Sequence, residues 1–367
     1  MHPFAYYHID DDVMRNPPED PMQWHDAEGV MAVARQSLHE AVWRYLQTGM
    51  AESETGAMNE RAWSELRLIP RVPFGSERAL PAIGCRLSGC DVAGPLIVAP
   101  TGRATRFHPD GELAVLRAGR SRNLLVALPS SVAHALEPLH AACPDAKWWQ
   151  QLYCSDDRAY LRDICQTAKA LGCRAMVLTV DLREPADTSH MPTAPIASWE
   201  AGIEKRAIPV RLRADFKDIE WFTEAAGLPV IVKGVMHPED VRHCAEIGVK
   251  GVVVSNHGGM LRDAAATAQV LGACVGEAGG RLEVFVDGAI RNGRTLLKAQ
   301  ALGASGVLVG RIFSASLAAA GEDGVARSMD MFLGELRHSL LDVGKNGLDE
   351  LGTDCLFQSM VNGGFLA

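Results

Sequence analysis

Short, continuously apolar runs recur along the chain, each followed by an amphipathic stretch. The runs are PLIVAP (95–100), LLVALP (124–129), WWQQLY (148–153), AMVLTVD (175–181), PVIVKG (229–234), GVVVSN (251–256), EVFVDG (283–288) and GVLVGR (306–311). A strand that alternates apolar and polar residues has one face in water, whereas a continuous run is covered on both faces, as in a parallel sheet flanked by helices. Most intervals between runs are about 22 to 32 residues, room for one strand, one helix and two loops. Eight runs in this rhythm predict an α/β protein, a (β/α)8 TIM barrel, rather than an open doubly wound sheet. No GxGxxG follows the first run, which counts further against the doubly wound alternative.

Before the barrel, Val30, Val33, Ala34, Leu38, Ala41, Val42 and Leu46 fall at helical spacing, predicting a helix from Asp26 to Leu46 with Gly49 as a stop. Residues 1–20 read as a loose arm, and the Pro-containing stretch to Ile83 as connectors around a short helix. The division expected is an N-terminal arm and helical extension over 1–90 and a barrel over 91–367. A second long helix, Glu322 to Val343, is expected to close the barrel. The interval between Asp181 and Pro229 is unusually long and rich in Pro, Ser, Thr and Ala, so a lid is expected near 182–215.

At 367 residues, with 47% hydrophobic and 22% charged, the chain can bury a large core. A net charge of −9 lacks the basic footprint of a nucleic-acid binder, and no apolar run is long enough to suggest a membrane span. The start of the chain lacks the basic and apolar regions of a signal peptide, and nine scattered cysteines form no metal-binding pattern. Reduced thiols, a cytoplasmic location and no metal site are the expectations.

Barrel enzymes place their chemistry at the C-terminal ends of the strands. Here those ends carry Thr101, Gln151 and Tyr153, Thr179 and Asp181, Lys233, Ser255 and His257, Asp287 and Arg291, and Arg311. A histidine at a strand mouth suits proton transfer, and Asp181 is a candidate to hold its ring. His237 and His243 read instead as a helix start and a solvated face. Lys233 suits an anion, as a Schiff-base lysine, a phosphate ligand or the partner of an anionic cofactor. VDGAIRNG and VGR, after the seventh and eighth runs, suit a phosphate, with glycine backbone and two guanidinium groups as donors.

These blocks resemble the FMN-dependent α-hydroxy-acid oxidases and dehydrogenases. The resemblance covers roughly Ala41 to Leu351 and rests on SNHGG, VKG, DGxxR, QLYCSDDR, LTVD and APTGRATRFHPDGE. It implies FMN as cofactor, His257 as active-site base and Asp181 as its partner. Lys233 corresponds to the residue at the flavin N1–C2 edge, and Gln151 and Thr179 to contacts on the pyrimidine side. The backbone at Thr101 and Gly102 corresponds to the segment facing N5. Ser255 joins the cofactor set. Asp287, Gly288, Arg291, Gly310 and Arg311 match ribityl and phosphate contacts, and Tyr45 and Tyr153 match substrate-binding tyrosines. Ser130 and Ser131 match a serine pair of the family. A homo-oligomer such as a tetramer is also implied.

Two departures stand out. The family's substrate-binding arginine three residues after the histidine is Met260, with Arg262 two residues on. The second such arginine, in a TPRxGxR-like stretch, is replaced by VDLREPAD, where Arg183 is near. Loss of both costs about 2–5 kcal/mol if a carboxylate stays buried. Either Arg183 or Arg262 substitutes, or the substrate is a small molecule or carrier-bound compound whose carboxyl is masked as an amide, ester or thioester, walled by Met260. Gly102 stands where many oxidases carry alanine, which implies extra room at N5. The competing readings are a non-redox FMN-dependent isomerase and a catalytically silent flavoprotein.

Overall fold

The computed structural model describes residues 22, 24–47, 53–72, 79–131, 135–182 and 210–358. The arm, Gly49, Arg183 and nearly all of the expected lid lie outside them.

Eight parallel strands close into a barrel: β4 (Leu96–Val98), β5 (Leu125–Leu128), β6 (Lys147–Tyr153), β7 (Met176–Thr179), β8 (Val230–Val235), β9 (Gly251–Val254), β10 (Glu283–Val286) and β11 (Gly306–Val309). They correspond one for one to the eight apolar runs, and β11 pairs with β4 to complete the ring. Alternate residues face opposite ways. Ile97, Leu125, Trp149, Val177, Ile231 and Phe285 therefore fill the barrel interior, with Trp149 and Phe285 edge to face at 5.2 Å. The other set packs against the helices α4 (Gly111–Ser121), α5 (Leu136–Ala142), α6 (Arg158–Ala170), α7 (Phe216–Ala225), α8 (Pro238–Ile247), α9 (Thr267–Ala278) and α10 (Gly293–Ala301).

A hairpin of β2 (Cys85–Leu87) and β3 (Cys90–Val92) adds Leu87, Cys90 and Val92 to the interior cluster. Gly306 has no side chain because one would meet Leu87 at 3.2 Å. This hairpin plugs the end of the barrel at which the strands begin, leaving the opposite mouth for chemistry.

The first helix is two. α1 (Ala27–Ser37) ends where Leu38 turns extended, and α2 (Glu40–Gln47) restarts after His39, whose Nδ1 accepts from the Ala41 backbone N–H at 3.2 Å. Leu38 is fully buried, so the apolar spacing runs straight through the break. The short helix among the connectors is α3 (Glu54–Glu65). The closing helix is the second half of α11 (Arg311–Asp342), which breaks at Ala320 and Gly321, so its last segment begins at Glu322 as expected. The tail returns as β12 (Leu356–Gln358), antiparallel to β1 (Leu66–Leu68). No helix among the described residues is long and apolar enough to cross a membrane. All nine cysteines are free thiols, eight of them buried.

Candidate active site

The mouth is built where the strands end. His257 follows β9 in a left-handed conformation (φ 57°) that opens a tight turn over His257–Gly259. Asn256 caps this turn by accepting from the Gly259 N–H at 3.0 Å. His257 Nδ1 lies 2.8 Å from Asp181 Oδ1. The carboxylate is 1% exposed and the imidazole 22%, so the acid is sealed while the ring stays reachable. Burial alone raises the Asp181 carboxyl, but Lys233 and the bond to His257 outweigh it and hold the group below its usual range. An ionised carboxylate only accepts, so Nδ1 carries the hydrogen and Nε2 is the basic nitrogen.

Asp181 owes its position to Gly234. At φ 107°, a Cβ there would stand 2.6 Å from Asp181 Cβ and 2.8 Å from its Cγ. The VKG block thus supplies a lysine on one residue and clearance for the acid on the next.

Lys233 is 5% exposed. Its Nζ donates to Ser255 Oγ at 2.9 Å and lies 3.4 Å from Asp287 Oδ2. Ser255 Oγ donates to the same Asp287 oxygen at 2.8 Å and accepts from the His257 backbone N–H at 3.1 Å. Burial disfavours the ammonium, yet Asp287 and Asp181 raise its affinity for the proton, so it stays charged. Tyr153 is raised by burial, so it is a neutral phenol at ordinary pH. Gln151 donates to Thr179 Oγ1 at 3.0 Å and accepts from the Ser130 N–H at 3.0 Å.

On the far side of the mouth, Arg311 donates to the Gly258 carbonyl at 2.8 Å, and Arg291 pairs with Glu60 at 2.9 Å. Burial and the neighbouring Arg291 push Arg311 down to about 10, still a cation at neutral pH. Two crowded guanidinium groups are relieved by an anion. A Cβ at Gly310 would meet Thr101 Oγ1 at 3.2 Å, so the loops after β4 and β11 approach closely there.

Residues 34–358 match the profile of the FMN-dependent dehydrogenases. The chain belongs to this family. Glycolate oxidase 3 of Oryza sativa subsp. indica is 33% identical, the match covering 87% of this chain and 92% of that protein. L-lactate oxidase of Alicycliphilus denitrificans is 32% identical over 89% and 94% of the two chains. Among solved structures, a mandelate oxidase variant with (S)-mandelic acid superposes with a TM-score of 0.82 at 29% identity, covering 93% of this chain and all of that one. FMN is thus the cofactor, and the activity is of the α-hydroxy-acid oxidase type.

The mouth of this FMN-dependent enzyme fits that cofactor on its own evidence. Asp287 Oδ1 is buried without a partner, an acceptor suited to a ribityl hydroxyl. Lys233 is a buried cation for an electron-rich ring, and Arg291 and Arg311 suit a phosphate. The structure brings together His257, Asp181, Lys233, Ser255, Asp287, Tyr153, Gln151 and Thr179. Tyr45, from α2, packs on the loop after β4, stacked on Phe107 with Arg106 over its ring. Met260 is 40% exposed just beyond the histidine turn, and Arg262 is exposed.

Two expectations are corrected. Gly102 does not leave room: its missing Cβ position lies 2.3 Å from Ser131 Oγ, so a hydroxyl fills that space. His243 is half-buried rather than on a solvated face, its ring edge-on to Phe216 at 4.9 Å. His237 does start a helix, capping α8.

Helix α3 supplies contacts the sequence did not signal. Asn59 and Asn256 exchange two amide hydrogen bonds of 2.9 Å, and Asn59 also accepts from the Thr267 N–H. Trp63 Nε1 donates to the Gly288 carbonyl at 2.9 Å. Gly288 (φ 92°) packs its Cα against Asn59 and Thr267, so the extension braces the loops after β9 and β10. These partners lie about 200 residues apart in sequence, beyond any local pattern.

Proposed function

We propose that the enzyme oxidises the hydroxyl-bearing α-carbon of an acyl compound whose carboxyl is masked as an amide, an ester or a carrier-bound thioester. The observation that carries this reading is the retained His257–Asp181 pair beside a half-exposed Met260, where the family motif has a carboxylate-binding arginine. His257 Nε2 takes the proton of the substrate hydroxyl, and Asp181 stabilises the imidazolium that results. FMN, when bound, would supply the two-electron acceptor for the oxidation of the carbinol carbon to a carbonyl. Lys233 holds a fixed positive charge against the negative charge that develops beside it. Tyr153, as a neutral phenol, and the Tyr45 hydroxyl suit a neutral acyl oxygen. Asp287, Gly288, Arg291, Gly310 and Arg311 hold the ribityl phosphate, and Gln151, Thr179 and the Thr101–Gly102 backbone hold the ring.

An arginine-to-leucine variant of mandelate oxidase, 30% identical to this chain, has been solved with 2-hydroxy-phenylacetamide. That precedent supports an amide as a ligand once an arginine is lost. The test is anaerobic bleaching of the FMN-loaded enzyme by 2-hydroxy amides and thioesters against the matching free acids. Faster bleaching by the masked compounds is expected. Efficient turnover of free glycolate, lactate or mandelate would overturn the masked-carboxyl reading.

A further inference from the structure

We propose that Arg106 is a positioning residue that sets acyl-group specificity by acting through Tyr45. The inference rests on the functional reading above and deepens it.

Arg106 ends a short 3-10 turn (Ala104–Arg106) in the loop after β4, the loop that also carries Thr101 and Gly102. It is only 7% exposed, so its charge acts on its neighbours with little screening by water. Its Cζ lies 4.5 Å from the centroid of the Tyr45 ring. The next residue, Phe107, stacks on the same ring at 6.2 Å and 29°. Two successive loop residues therefore grip one tyrosine that comes from α2, the tyrosine to which the functional reading gives the acyl oxygen of the substrate.

A cation over a phenol ring is attracted to its face and draws electron density from it. That makes the Tyr45 hydroxyl a stronger hydrogen-bond donor. A strengthened donor fits a carbonyl oxygen of an amide or thioester, which offers lone pairs but no charge to neutralise. Met260 removes the anion grip from the β9 side of the mouth, and Arg106 builds a neutral grip on the β4 side. The methionine and the arginine then serve one end.

The test uses the FMN-loaded enzyme with Arg106→Met, Arg106→Lys, Tyr45→Phe and the Arg106→Met/Tyr45→Phe pair. KM and kcat are measured for 2-hydroxy-phenylacetamide and for mandelate. Arg106→Met is expected to raise KM for the amide about three- to thirtyfold with kcat nearly unchanged. Arg106→Lys, which keeps the charge, should recover most of this. In the Tyr45→Phe background, Arg106→Met should add less than about twofold, because the path through Tyr45 is already cut. Flavin content and melting temperature report folding, and if Arg106→Met misfolds, Arg106→Gln takes its place. Full multiplicativity of the two substitutions, an equal effect on acid and amide, or no effect on KM would each overturn the proposal. Bleaching of the wild-type enzyme by neither compound would overturn the functional reading instead.

Discussion

The replacement Gly234→Ala tests the site through an atom that touches no substrate. Its added Cβ would sit 2.6 Å from Asp181 Cβ, 2.8 Å from Cγ and 2.9 Å from Oδ2. Ordinary contact begins at about 3.4 Å, so the acid must retreat by roughly 0.8 Å or the loop must open. A retreat of that size takes the 2.8 Å bond to His257 beyond hydrogen-bonding range. A charge-assisted bond contributes about 1.5–3 kcal/mol, so kcat should fall roughly ten- to 150-fold. Alanine at φ 107° adds about 1–3 kcal/mol of backbone strain, which lowers the melting temperature by several degrees. The phosphate cradle is untouched, so FMN should still bind. Stopped-flow bleaching of the yellow enzyme gives the rate, and dichroism gives the melting curve. In an Asp181→Ala background, Gly234→Ala should cost stability but almost no further rate. A folded, yellow Gly234→Ala enzyme with full turnover would refute the role given to the Asp181–His257 bond.

Two further outcomes follow from packing and charge. Gly102→Ala should destabilise the protein by about 1–3 kcal/mol through the 2.3 Å approach of Ser131 Oγ, and Ser131→Ala should restore most of the loss in melting temperature; failure of that rescue would deny that Ser131 fills the space. Lys298 donates to the Trp63 carbonyl at 2.8 Å, and burial, with Arg67 and Arg294 nearby, pushes it down to about 8. Because the folded state prefers the neutral amine, the native protein loses stability as pH falls from about 10.5 to 8 and no more below that. Lys298→Met removes this dependence, so its stability relative to wild type, read from melting curves, should decline between pH 8 and 10 by on the order of 1 kcal/mol after allowance for solvent screening. A flat difference across that range would contradict the assigned shift.

The barrel was legible because strands buried on both faces leave an uninterrupted apolar run, and nothing else in a chain of this composition produces eight of them at βα spacing. The polar residues just past those runs were legible for the same reason: the strand ends fix their address. What stayed hidden was set by contacts distant in sequence or by backbone shape. Leu38 keeps helical spacing across a real break, because a buried leucine satisfies the core whether or not its own backbone is helical. Asn59 and Trp63 look like ordinary residues of a short helix until the fold places them against Asn256 and Gly288. The glycine at 102 suggested space, but the sequence does not show what occupies it, and Ser131 arrives from the end of the next strand.

Lys233 is the obvious target for mutation and a poor one. Its ammonium is the charge partner of both Asp287 and Asp181, which lie on the cofactor side and the base side of the same mouth. Removing it leaves two buried carboxylates facing each other's field with no cation between them, and an uncompensated buried charge costs about 3–5 kcal/mol. Asp181 would then lose the cation that helps hold its carboxyl ionised. A protonated Asp181 would no longer favour an imidazolium. Lost turnover in a Lys233 variant would therefore mix misfolding, altered protonation and lost stabilisation of charge. Gly234, one residue further along β8, moves only the base's partner and leaves that cation where it is. Separating the proton-transfer role from the electrostatic one thus depends on perturbing the neighbour of the lysine rather than the lysine itself.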